Sequence, residues 1–183
     1  VLNINREQNN VILGQKCITL YGKDTIEDTL CDVRFELSPL SFYQVNRQAA
    51  EKLYRLAAEM AQFEGNELLI DLYCGAGTIG LSMTSNVREL IGVEIVPDAV
   101  ENAKENAKRC GVENARFICA DAKEAATQLA AENLHPDVIV VDPPRKGCDI
   151  EVLQAIAAMA PKRLVMISCN SASLARDCKE LEA

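Results

Sequence analysis

The sequence predicts a doubly wound α/β fold, and three observations carry that prediction. From residue 67 onward, short apolar strands alternate with helical stretches. The strands are almost continuously apolar, as parallel strands covered on both faces are. A glycine-rich loop, "CGAGTIG", stands between the first of these strands and the segment after it, where open α/β sheets approach ligands.

The elements follow in order. Residues 1–40 form a separate piece, a short antiparallel β segment, with "NVILGQKCITLYG" and "CDVRFELS" as strands around the turn-like "GKDT". Residues 41–183 form the α/β domain. It opens on a helix capped by Asn46, with Ala49, Ala50, Leu53, Leu56, Ala57 and Met60 on one broad face. "ELLIDLY" (67–73) is the first parallel strand, and the glycine loop and a helix follow. "LIGVEI" (90–95) is the second, and its helix starts at Pro97 and stops at Gly111. "RFICAD" (116–121) is the third, followed by a helix over 122–133. "DVIVVDPP" (137–144) is halted by prolines that cannot continue a ladder. "RLVMISC" (163–169) is the fifth. Five strands with following helices are visible and the chain stops inside the helix after Cys169, so it reads as a fragment cut from a longer protein at both ends, with the last strands of the sheet missing.

Composition narrows the function. In 183 residues, 49% are hydrophobic and 25% charged, the balance of a globular domain. A net charge of −8 with no basic run longer than two residues argues against a strong grip on nucleic acid by these residues alone. The eight cysteines contain no C-x-x-C, and His135, a loop residue with no assigned role, is the single histidine, so no metal site is expected. Most of the cysteines read as small core residues in a reducing cytoplasm. No signal peptide and no membrane-length apolar run is visible.

The chemistry concentrates at strand ends. Gly75, Gly77 and Gly80 form G-x-G-x-x-G between strand and helix, and Glu94 ends the next strand, placed for ribose hydroxyls. An adenosine-containing cofactor follows. Asp121 ends the third strand, in reach of an adenine edge, and Asp142 ends the fourth. Carboxylates at three successive strand ends favour S-adenosylmethionine over a dinucleotide. Each acid alone also suits a helix cap. Cys169, at the end of the fifth strand, faces the same crevice as Asp142; its position alone leaves it either a nucleophile or a structural thiol.

"SFYQVN", "DLYCGAGTIGL", "GVEIVPDAVENAKENA", "DPPRKG" and "ISCN", in this order, resemble the RNA uracil-5-methyltransferases of ribosomal and transfer RNA. The resemblance runs from about "VILG" to the end of the chain. It implies a Rossmann-like S-adenosylmethionine-dependent methyltransferase fold and methylation of carbon 5 of a uridine in RNA, foremost 23S ribosomal RNA. It matches Gln44, Tyr73, Glu94 and Asp121 to cofactor-binding positions, alongside Gly75, Gly77 and Thr78 of the glycine loop. Asp142 matches a cofactor- or substrate-site carboxylate, and Cys169 the nucleophile. Such chemistry needs a thiolate because carbon 5 of uracil is too weak a nucleophile; addition at carbon 6 makes an enolate that accepts the methyl. Arg145 and Asn170 stand ready to fix the ring or its phosphate, or simply to brace the loop.

The departures carry expectations of their own. Thr78 stands where many members have Asn. The family's carboxylate base lies beyond the fifth strand, and the RNA-binding domain and iron–sulfur cysteines of some members are absent. The fragment is therefore expected to bind cofactor, to turn over poorly, to leave most of the RNA grip to other regions, and to self-associate through an open sheet edge. Two rivals stay in view. An RNA cytosine-5-methyltransferase typically has a cysteine directly after the fourth-strand proline, where this chain has Arg145. A non-catalytic NAD-type module would make Cys169 core filler.

Overall fold

The computed structural model describes residues 1–7, 12–132 and 134–182. Near the amino terminus β1 (Leu2–Ile4) pairs antiparallel with β2 (Lys16–Ile18), and β3 (Ile26–Leu30) with β4 (Val33–Leu37). The second hairpin turns through Cys31 and Asp32, both at positive φ, the backbone twist that suits a two-residue hairpin loop. Val11 and its neighbours 8–10, at the start of the expected "NVILGQKCITLYG" strand, lie outside the described residues. Of that strand, among the described residues, only Lys16–Ile18 pairs.

Helix α1 (Arg47–Ala61) leads into β5 (Leu68–Leu72), every residue of which is buried. There follow α2 (Thr78–Leu81), β6 (Glu89–Glu94), α3 (Pro97–Arg109), β7 (Ala115–Cys119), α4 (Ala122–Ala131), β8 (Val138–Val141), α5 (Ile150–Met159), β9 (Arg163–Met166) and α6 (Ser171–Leu181). The five later strands form one parallel sheet in the order β7-β6-β5-β8-β9. Alternation along the strands divides the core. Leu69, Val138 and Val140 join α1, the glycine-loop segment and the β3–β4 hairpin on one face. Leu68, Ile70, Leu72, Ile139 and Val141 join α4 and α5 on the other. The doubly wound prediction holds.

Strand order reverses between β5 and β8, so the crevice outside their carboxyl ends is the expected ligand position. Register aligns that edge. Leu72 pairs with Val93 on one side and Val141 on the other, and Val141 with Met166. The next residues (Tyr73, Glu94, Asp142 and Ile167) therefore stand in one row.

Three expectations need correction. The helix after the glycine loop is only Thr78–Leu81, followed by a 3-10 turn at Thr84–Asn86. The side chains of Ser82 and Thr84 bond back to the carbonyls of Ile79 and Leu81, an alternative to continued helix. The fifth strand stops at Met166, with one further ladder bond from Ile167 N–H to Val141 O at 2.9 Å, so Cys169 stands clear of the sheet. On α1 the buried stripe is Ala50, Tyr54, Ala57 and Ala61, while Leu56 is 52% and Met60 59% exposed. On the buried stripe the Tyr54 hydroxyl lies 3.1 Å from Thr78 Oγ1. Asn46 caps α1 as expected, accepting from Ala49 N–H.

Candidate active site at the carboxyl edge of the sheet

Tyr73, Gly75 and Gly77 all take positive φ, at 66°, 55° and 81°, which the glycines adopt freely and only Tyr73 adopts at a steric cost. Gly80 serves close approach instead. A Cβ there would lie 2.9 Å from both Asp71 Oδ2 and the methyls of Leu90, so only glycine lets α2 sit this near β5 and β6. Asp71, fully buried in the apolar run "LLIDL", accepts from Gly80 N–H at 2.9 Å through Oδ2. Its Oδ1 has no hydrogen-bond partner among the described residues. Burial, opposed by that one bond, pushes the Asp71 carboxyl up to about 8, so it is mostly protonated near neutrality.

Glu94 binds the loop as well as facing the crevice. It accepts from Gly75 N–H at 3.0 Å and from Ile95 and Val96 N–H at 2.9 Å each. Asp121 is the N-cap of α4, accepting from Lys123 N–H at 2.9 Å through Oδ1. Tyr73 packs on the α4–α5 side near Cys148, and burial pushes its hydroxyl well above the ordinary tyrosine value. Thr78 is buried and held by Tyr54, so its hydroxyl is already engaged.

A cleft of about 390 Å³ brings Gln44, Asp142 and Cys169 together, walled by Leu56, Met60 and Ile167. Its polar members come from three separate parts of the chain: the segment before α1, the end of β8 and the turn after β9. Asp142 is half-buried, and burial pushes its carboxyl up to about 6. Cys169 is exposed at the lip. Tyr73, Thr78, Glu94 and Asp121 do not line this cleft; they belong to the adjoining stretch of the same sheet edge.

Cysteines elsewhere correct the composition argument. Cys74 and Cys148 alone among the eight are buried, and Cys119, Cys169 and Cys178 are exposed. Asn170 caps α6 by accepting from Ala172 N–H, and its Nδ2 donates to Arg145 O at 3.3 Å. It braces the loop.

Four residues at or around the site escaped the sequence reading. Asp71 had a visible signal, an acid inside a strand with no other polar residue. Tyr54, Asn106 and Asp177 had none, because each finds its partner more than 20 residues away.

Comparison with known proteins bears on this geometry. Residues 7–183 match the family described as tRNA (Uracil-5-)-methyltransferase. A protein of Staphylococcus aureus named as an uncharacterized RNA methyltransferase is 50% identical over 96% of the chain. One of Clostridium acetobutylicum with the same description is 48% identical over 97%. The chain spans 39% and 38% of those two proteins. Among solved structures, Pyrococcus abyssi tRNA (uracil-54, C5)-methyltransferase in complex with S-adenosyl-L-homocysteine superposes with a TM-score of 0.82. It is 30% identical, and the match covers 98% of this chain and 43% of that one.

Proposed function

The chain belongs to the tRNA (uracil-5-)-methyltransferase family, and from that premise we propose that it carries the catalytic part of an enzyme methylating carbon 5 of a uridine in RNA with S-adenosylmethionine. The observation that carries the proposal is the single cleft shared by Gln44, Asp142 and Cys169.

The residues present fit the cofactor. Glu94 accepts three backbone N–H groups yet, as a carboxylate with about four acceptor sites, keeps capacity for ribose hydroxyls. The backbone of Gly75 and Gly77 leaves room for close approach, with Tyr73 behind it. Asp121 offers Oδ2 to an adenine amino group. Gln44 and Asp142 lie toward Cys169, where the reacting end belongs, and Thr78 acts through Tyr54 in holding the loop. When bound, S-adenosylmethionine supplies an electrophilic methyl group on a sulfonium sulfur.

Cys169, as thiolate, adds to carbon 6 of uracil. The electron pair displaced moves onto carbon 5 and the adjacent carbonyl oxygen, and carbon 5 becomes the nucleophile. Carbon 5 takes the methyl group as the methyl–sulfur bond breaks, the pair of that bond staying on the sulfur of the departing S-adenosylhomocysteine. A base then removes the carbon 5 proton. The electrons of that C–H bond re-form the ring double bond, and the carbon–sulfur pair leaves with Cys169 as thiolate. The relatives' longer chains support assigning that base, and most of the RNA grip, to regions beyond these residues. Residues 1–183 alone are then poor at turnover. An open edge on β9, which among the described residues pairs only with β8, supports their self-association. Eight unpaired cysteines support a reducing cytoplasm. Among the described residues no helix is long and apolar enough to cross a membrane.

Calorimetric titration with S-adenosylhomocysteine beside NAD tests the cofactor: binding of the former alone is expected, and binding of NAD alone would defeat the proposal. RNA carrying 5-fluorouridine tests the nucleophile, since fluorine blocks proton removal and traps the adduct. With S-adenosylmethionine and the full-length protein, a covalent complex is expected for the wild type and none for Cys169→Ala. The assay runs 23S ribosomal RNA, the expected substrate, against transfer RNA, that of the archaeal relative. Adducts with cytosine analogues instead would favour the cytosine-5 alternative.

A further inference from the structure

The helix that follows the nucleophile reaches back over the loop that follows Asp142. Asn170 Nδ2 donates to Arg145 O at 3.3 Å. Arg176 Nη2 donates to Lys146 O at 2.9 Å and to Cys148 O at 3.3 Å. Asp177 Oδ2 accepts from Cys148 N–H at 2.9 Å, and its Oδ1 pairs with the Arg176 guanidinium. These contacts take hold of the backbone from 145 to 148 at four atoms, all from one helix end to the middle of α6.

Burial makes this arrangement costly for mere packing. Asp177 is 1% exposed, and an ionised carboxylate is tolerated there only when paired and hydrogen-bonded. Gly147 completes the fit. Its φ is +84°, and a Cβ at that position would collide with both the Arg176 guanidinium and the Asp177 carboxylate. Upstream, Pro143 and Pro144 hold their own φ fixed, so the clamped segment is linked stiffly to Asp142. One end of the linkage is a cleft carboxylate, and the other enters α6 immediately after Cys169.

We propose that Arg176 and Asp177 are positioning residues that lock the 143–149 loop to the helix after Cys169, setting the distance between the nucleophile and Asp142. The proposal rests on the uracil-methylation reading. Neither residue touches the substrate. Both act through the loop, and misplacement of reacting groups by about 1 Å costs on the order of 100-fold in rate.

The test uses the full-length protein in the 5-fluorouridine RNA trapping assay, with S-adenosylhomocysteine affinity and thermal unfolding measured on the same samples. For Asp177→Ala and Gly147→Ala, adduct formation at saturating RNA is expected to slow by about 100-fold. The RNA concentration giving half-maximal rate should stay within about threefold and the S-adenosylhomocysteine affinity within about tenfold, because Asp142 would supply one cofactor contact and the others lie on β5 to β7. Arg176→Lys, which keeps the charge but loses the forked geometry, is expected to recover part of the rate lost in Arg176→Ala. Should Asp177→Ala fail to fold, the half-exposed Arg176 carries the comparison. Folded variants with wild-type trapping rates overturn the clamp, as does a fall in cofactor affinity parallel to the fall in rate. A wild type that traps no uridine overturns the underlying reading instead, and the clamp with it.

Discussion

Asp142 shows how one side chain reports two opposite pH trends. Burial raises its carboxyl to about 6. Proton linkage then makes its contribution to folding complete below the unfolded value and lost as pH rises through about 6. Binding runs the other way. We propose that the charged carboxylate attracts the ammonium of the cofactor's amino acid end, so that attraction appears as pH rises through about 6 and is lost on acidification. Between pH 5 and pH 7 the ionised fraction changes about tenfold. S-adenosylhomocysteine affinity is expected to rise by up to about tenfold over that window, and Asp142→Asn to flatten the profile and weaken binding at pH 7. Calorimetry at several pH values checks it. A flat wild-type profile beside pH-dependent trapping would move Asp142 to the uridine side of the cleft.

Elements meet at the site through side-chain amides on α3. Asn106 is fully buried, accepts from Glu36 N–H at 2.7 Å, and donates to Glu36 O and to Ala76 O at 3.2 Å each. One turn earlier, Asn102 accepts from Ser38 N–H and the Ser41 hydroxyl, at 3.0 and 2.7 Å. The helix therefore joins hairpin, glycine loop and the segment leading to Gln44 in one frame. Asn106→Ala strands the part-buried Glu36 N–H and carbonyl and the buried carbonyl of Ala76, and is expected to cost about 2–4 kcal/mol and to weaken S-adenosylhomocysteine binding. Urea unfolding with calorimetry checks both, and an effect under about 0.5 kcal/mol would remove the frame argument. This frame was illegible in the sequence. The helix itself was plain: Pro97 lies at its first positions and Gly111, at positive φ, just past its end. What local pattern cannot contain is a partner 70 residues away. The same limit explains α1. Its cap and length are readable, but its broad apolar face extends past the buried stripe, which includes Tyr54, bonded to Thr78 24 residues on. Strand ends carry Glu94 and Asp142 openly because a parallel sheet brings every carboxyl end to one edge, and Cys169 lies three residues past the end of β9.

At the scale of the whole molecule, charge separates the two halves of the proposed task. Cofactor recognition needs a few placed carboxylates and an open backbone, and the ones proposed for it stand on β5 to β8. Recognition of an RNA needs many cations, since each phosphate contact contributes through release of condensed counterions. The chain carries 19 Lys and Arg against 27 Asp and Glu. Several cations are already taken, Arg109 by Glu36, Lys123 by Glu151, Lys162 by Asp137. Residues 1–183 and the full-length protein are accordingly expected to bind S-adenosylhomocysteine within about threefold of each other. Their RNA affinities at physiological salt should differ by at least about 100-fold, with a shallower salt dependence for residues 1–183 because fewer phosphates are neutralised. Leu56 and Met60, exposed beside β9, add an apolar wall to an unpaired strand edge. Self-association of residues 1–183 should thus grow with concentration and fall in Leu56→Glu, which sedimentation velocity reads directly. Equal RNA binding by residues 1–183 and the full-length protein would contradict this division. It would put the recognition of RNA on an acidic surface, where neither counterion release nor the paired arginines and lysines offers a physical source for it.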